Sequence, residues 1–147
     1  MLKRLIADIE ERFHPSGIRA HVLMYGDKVQ VGYFDPQAKK MHSYTKEQQL
    51  PPDDIVESGK PILQLNVDDS LTSPEAALAT AKEQCQTKFP WQITEQFVIV
   101  LQNPGVPQYT ITGISRSLQA LVVVIDATTG HVVEATSAPL AGYDRHR

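Results

Sequence analysis

Apolar residues at the start of the chain recur at three- and four-residue steps: Leu2, Leu5, Ile6, Ile9 and Phe13. On a helix these positions form one stripe, with Lys3, Arg4, Asp8, Glu10, Glu11 and Arg12 on the other faces. The spacing predicts an amphipathic helix that ends at His14. Pro15 disfavours helical geometry in the residue before it, and Ser16-Gly17 lets the chain turn. From Ile18 the period changes to two. Ile18, Ala20, Val22 and Met24 alternate with more polar neighbours over a strand that ends at Tyr25, and Val29, Val31 and Tyr33 do the same over Lys28 to Phe34. Gly26-Asp27 between them suits a two-residue hairpin turn. Met41 to Thr45 is a third, shorter strand.

Residues 46–60, KEQQLPPDDIVESGK, are polar, hold Pro51-Pro52 and keep no period, so they read as a linker with room for one helical turn at Asp53 to Ser58. Pro61 to Val67 reads as one more strand. A second helix opens at Ser73 as N-cap, with Pro74 at the first helical position and Glu75 at the positive end of the dipole. Leu78, Ala81, Cys85 and Phe89 trace its apolar stripe, and Pro90 stops it. Four strands follow: Ile93 to Gln102, Gln108 to Ile114, Leu118 to Ala127 and His131 to Ala135. Leu121 to Ile125 is continuously apolar and largely β-branched, the pattern of a strand covered on both faces. Asp126 to Gly130 is a turn, with Gly130 free to take positive φ.

These elements predict an α+β protein in which helices pack on antiparallel meander sheets, arranged as two helix-then-meander units. The boundaries are 1–45 for the first helix and three-strand meander, 46–70 for the linker and extra strand, 71–138 for the second unit and 139–147 for a loose tail. Whether the two halves share one sheet is not decided by the pattern.

The chain has 147 residues, 41% of them hydrophobic and 21% charged, with a formal net charge of -3. That is enough chain for a core without metal or disulfide staples. One cysteine, Cys85, excludes an internal disulfide and a cysteine-rich zinc cluster. Residues 1–73 hold 9 basic and 11 acidic side chains, and residues 74–147 hold 5 and 6. Nucleic-acid binding rests on clustered Lys and Arg, which neither half has. No stretch approaches the ~18 apolar residues of a membrane span. Asp8, Glu10 and Glu11 interrupt the N-terminus, so it does not read as a signal peptide. The expected location is cytoplasmic, or the envelope or outside if a leader has been removed.

Two places resemble the PepSY domain family. One is the helix opening Thr72-Ser73-Pro74-Glu75-Ala76-Ala77, followed by Ala81. The other is Leu121-Val122-Val123-Val124-Ile125-Asp126-Ala127-Thr128-Thr129-Gly130-His131-Val132-Val133, similar to the family's closing strand-D-A-x-x-G-x-V-V hairpin. Tyr109-Thr110-Ile111 sits where the family's preceding strand lies. The resemblance spans residues 72–135. It implies a helix on an antiparallel sheet, a bacterial-type domain of secreted-peptidase propeptides and envelope proteins, and an inhibitory, chaperone-like or ligand-binding role. It implies no catalytic residue.

The residues that carry chemistry do not converge. Of five histidines, His14, His21, His42, His131 and His146, none belongs to HExxH, HxH or a Cys-His cluster. His21 and His42 fall on neighbouring segments, but two ligands without a carboxylate make a poor metal site. Cys85 lies late in its helix on the apolar stripe, where the dipole opposes a thiolate. Ser115 and Ser117 lack a nucleophile elbow. Asp53-Asp54 and Asp68-Asp69 read as solvated loop acids, and the scattered glycines form no phosphate cradle. No catalytic residue, metal site or cofactor is assigned. The binding candidates are Trp91 at the helix exit, Arg116 at a hairpin tip, and Tyr109. Trp91 suits either a partner interface or the closing of the core. The reading is a non-enzymatic binding or regulatory module that contacts a protein or peptide. The alternatives are a small-molecule binder or enzyme with a pocket between helix and sheet, and a structural protein that self-associates as a homo-oligomer.

Overall fold

The computed structural model describes residues 2–54 and 61–140. Helix α1 spans Leu2–Phe13 and is followed by β1 (Ile18–Tyr25), β2 (Lys28–Asp35), β3 (Lys40–Tyr44) and a two-residue β4 (Asp53–Asp54). Helix α2 spans Pro74–Lys88 and is followed by β5 (Thr94–Gln102), β6 (Gln108–Ser115), β7 (Gln119–Asp126) and β8 (Val132–Pro139).

The expectation of helices packed on antiparallel meander sheets, in two helix-then-meander units, is corrected here to a fold dominated by one sheet. All eight strands form one antiparallel sheet in the order β4-β3-β2-β1-β5-β6-β7-β8. Strand dominates the molecule. The join is β1 against β5, with Val22 opposite Leu101 and Met24 opposite Ile99. Each of these strands would otherwise be the open edge of a half-sheet whose apolar row had lost one flank. Pairing them completes both hydrogen-bond ladders and makes one core.

Directly opposed residues share a face in an antiparallel ladder, so the register sorts the side chains. One face carries Val31, Val22, Leu101, Tyr109, Ile111, Val123 and Ile125, all fully buried. Ile6 and Ile9 of α1 and Ala77, Ala81 and Cys85 of α2 join them in one cluster. Small residues at 77 and 81 let α2 sit close to the sheet. The Ser73 cap bonds the Ala76 amide at 3.1 Å, with Pro74 just inside it. His14 ends α1 at φ 46°, its amide held by Glu10 O at 3.0 Å.

Residues 61–67 are not a strand. Leu65 is nevertheless fully buried, and its amide bonds Arg19 O at 2.8 Å. The register of β1 against β2 slips by one residue between Arg19 and His21, which aims the Arg19 side chain at α1. Arg19 Nη1 meets Glu10 Oε2 at 2.6 Å, Tyr33 OH donates to the same oxygen at 2.8 Å, and Arg19 Nε donates to Leu65 O at 2.8 Å. This network ties α1, β1, β2 and the 61–67 segment together. Burial and the Glu10 charge raise the Tyr33 hydroxyl above the ordinary phenol range. The expected helical turn over 53–58 and the tail over 139–147 fall largely outside the described residues. Within them, Asp53–Asp54 pairs with β3, and Pro139 closes β8. Among the described residues no helix is long and apolar enough to cross a membrane.

Gly32 has a steric reason to be glycine. A Cβ there would stand 2.2 Å from Cε1 of His21, whose ring lies across it. Gly32→Ala should therefore destabilise by about 1–3 kcal/mol through overpacking. Gly32→Ala combined with His21→Ala should recover most of that loss. Urea unfolding of the two single variants and the double variant checks it through the coupling energy.

Candidate functional site

His21 and His42, on neighbouring segments of the chain, do not meet. His21 opposes Gly32, whereas His42 opposes Tyr33, the next residue of β2. Adjacent strand positions point to opposite faces, so the sheet itself separates the two imidazoles. Among the described residues no group of three or more His, Cys, Asp or Glu side chains is placed to hold a metal ion. Cys85 is buried against the sheet, and burial pushes its thiol pKa up, away from the thiolate a nucleophile needs. Asp68 shapes the approach to α2: its carboxylate accepts the Ser70 amide at 2.8 Å, and the two Ser70 bonds lower its pKa.

The binding candidates separate into two kinds. Tyr109 is 1% exposed, and its hydroxyl donates to Thr72 O at 2.6 Å. Burial, reinforced by the Glu75 charge, pushes that hydroxyl up to about 12. Tyr109 is thus a core residue that pins the start of α2 to β6, and it presents no surface to a partner. Trp91 does not close the core: it is 73% exposed in the turn between α2 and β5. Arg116 lies in the β6–β7 turn, where its amide bonds Ile93 O at 3.0 Å and its guanidinium pairs with Glu95.

Around Trp91 and Arg116 the fold gathers residues that the pattern along the chain did not single out. Ile93 is 54% exposed, Leu118 63%, and Tyr25 and Ile114 are also exposed. All belong to one end of the sheet, where β1 finishes, β5 begins and the β6–β7 turn reverses. Ser117 Oγ bonds Gln92 Oε1 there, and Tyr25 OH donates to Gln96 Oε1 at 2.7 Å, so the two turns are tied across β5. Between them is an open groove of about 580 Å³ lined by Tyr25, Ile93, Val98, Thr112, Ile114 and Arg116. Apolar walls ending in an Arg–Glu pair form a surface for an apolar chain with a polar flank.

Leu118 takes an uncommon backbone conformation. Its φ is 60°, in the left-handed region that a bulky residue rarely occupies. Leu118 N to Ser115 O at 3.0 Å and Leu140 N to Leu118 O at 2.9 Å hold it there. Leu118 thus closes the three-residue β6–β7 connection in a left-handed conformation with its side chain exposed, as His14 and Lys39 also take positive φ at their turns.

No family model matches the chain, and no curated protein does. A solved structure with the same fold is that of a candidate lipoprotein from Clostridium difficile 630. It superposes with a TM-score of 0.60 at 13% sequence identity, over 93% of this chain and 92% of that one. At that identity the likeness shows the fold: the single broad sheet is an architecture shared along nearly the whole length of both chains.

Two outcomes follow from these placements. Tyr109→Phe removes the donor to Thr72 O and should cost about 1–2 kcal/mol in urea unfolding, as expected of a buried carbonyl left unpaired. Burial lowers the His21 pKa, so the unfolded chain binds that proton more readily. Stability from His21 is complete above the unfolded pKa of about 6.5 and is lost as pH falls from there towards the lower folded value. His21→Gln should flatten the decline in urea midpoint over that interval.

Proposed function

We propose that this chain is a small module that binds a protein or peptide, and that the apolar end of its sheet is the contact surface. The observation that carries the reading is the group Tyr25, Trp91, Ile93, Ile114 and Leu118, five large apolar side chains exposed at one end of the sheet. Tyr25, Ile93 and Ile114 line the groove, and Trp91 and Leu118 stand in the α2–β5 and β6–β7 turns; apolar side chains gathered at a groove favour an interaction site. Trp91 is the anchor, since tryptophan supplies the largest contact area at low conformational cost. Arg116, held by Glu95, orients a polar group at the groove's end. A pocket between helices and sheet is disfavoured, because Ile9, Leu65, Leu101, Tyr109 and Ile111 fill that layer.

The PepSY-like reading of residues 72–135 belongs to the same proposal. The Ser73-capped helix and the β7–β8 turn, where Asp126 accepts the Thr128 amide at 2.8 Å, support it. The role of binding or restraining a polypeptide, which that resemblance implies, agrees with the end surface. The structural neighbour's description as a candidate lipoprotein favours the envelope over the cytoplasm as the place where the module works.

The test is to pan a random peptide library on the immobilised protein and measure the selected peptides by calorimetry. Apolar peptides should be enriched, and Trp91→Ala should weaken them by about tenfold or more. Leu118→Gly should weaken them similarly while leaving the urea midpoint unchanged or raising stability by up to about 1 kcal/mol, because glycine relieves the left-handed strain. No enrichment over the bare support, or full affinity in both variants, would remove this site from consideration.

A further inference from the structure

The helices cover one face of the sheet, and the register shows what lies on the other. Leu23, Val98, Val100, Thr112, Val122 and Val124 form its centre, and all are half-buried by their own neighbours alone. The segment at 61–63 reaches only one corner, beside His21, Met41 and Gln102. Strand β7 makes the point most directly. Its run Leu121 to Ile125 has the composition of a strand buried on both sides. Leu121, Val123 and Ile125 are buried under α2, yet among the described residues nothing covers Val122 and Val124. The chain is written for one more layer than a single copy supplies.

We infer that a second copy of this chain is that layer, the two sheets packing face to face about a two-fold axis that crosses the strands. Three observations favour this occupant. The first is charge. Along β5, β6 and β7 no charged side chain lies between the ends of this face. Arg116, paired with Glu95 of its own chain, stands at one end of β6 and β7, and Asp126 at the other, with Glu134 beside it on β8. An axis across the strands keeps each strand's lateral place and exchanges the two ends. It therefore sets the Arg116–Glu95 pair of one copy over Asp126 and Glu134 of the other, twice, as an isologous interface requires, with each guanidinium shared between Glu95 and the partner's acids. The second is area. Five strands at ~4.8 Å spacing and eight residues at ~3.3 Å rise give roughly 600 Å² of planar footprint, near the ~800 Å² per partner of a standard interface. The third is shape: a broad twisted antiparallel face packs well against another such face at ~10 Å separation. A lipid surface fits less well, since anionic membranes attract clustered Lys and Arg, and this face offers acids at one end.

The dimer covers the groove floor at Val98 and Thr112, while Trp91 and Leu118 belong to the turns beyond the strands. The dimer and a peptide in the groove therefore compete for Val98, Thr112 and Arg116, and the two readings stay distinguishable because one is tested at Trp91 and Leu118 and the other at Val122 and Glu134.

The experiment is sedimentation velocity on the full chain across a concentration series. The wild type should pass from monomer to dimer mass as concentration rises. Val122→Glu should raise the dimer dissociation constant by about tenfold or more. Glu134 is exposed, so Glu134→Lys reads the interface even if a buried charge at 122 weakens the fold. Glu134→Lys and Arg116→Glu should each weaken the dimer several-fold, and the double exchange should restore it. A chain that stays monomeric at every concentration overturns the inference, as does a dimer indifferent to both Val122→Glu and Glu134→Lys. A monomer that instead floats with neutral lipid vesicles also overturns it and gives the face to a membrane.

Discussion

The architecture depends on the pairing of β1 with β5. Val22 and Leu101 meet there and are fully buried, with Met24 and Ile99 beside them. Without that ladder the chain would be two small curved sheets, each with a raw edge and a core too thin to exclude water. With it, the apolar rows of the two halves become one row, and both helices must lie on the same side to cover it. The Glu10–Arg19–Tyr33 network then fixes α1 over its half, and the Tyr109–Thr72 bond fixes the entry of α2 over the other. Much of what is specific about the molecule follows from forcing a helix-covered face and a bare face onto one sheet.

That asymmetry is also the source of the two proposed contact surfaces. Placing both helices on one side leaves the second side to the strands' own β-branched residues. The ends are shaped by the connections. The turn leaving α2 and the β6–β7 turn meet across the start of β5, and their meeting exposes Trp91, Ile93 and Leu118 together. These residues are far apart in the chain, and none is unusual by itself. This apolar end is a product of strand order, in which β5 and β6 are neighbours and β1 flanks them.

The local elements were largely legible in the sequence. Helix α1 was legible from its stripe, α2 from Ser73-Pro74 and Pro90, and most strands from period-two alternation, because these signals act within a few residues. Pro61 to Val67 misled: its alternating apolar residues serve a wrapping segment that buries Leu65 and bonds Arg19 without entering a ladder. The candidate site was legible in part. Trp91 and Arg116 stood out by residue type, Tyr109 proved to be core, and Ile93, Ile114 and Leu118 looked like ordinary strand residues. Their exposure is decided by which neighbours arrive from elsewhere.

By itself the sequence determined where much of the chain turns and, for most stretches, whether they are helix or strand. It also determined that β7 has two apolar sides. Only the tertiary structure decided that the halves share one sheet, that His21 and His42 stand on opposite faces, and which apolar residues remain bare. The physical reason is range. Propensity, capping and periodicity are set by backbone geometry between near neighbours. Strand order and facial burial are set by contacts across dozens of residues, where β1 and β5 choose each other only once both rows of side chains can be buried together.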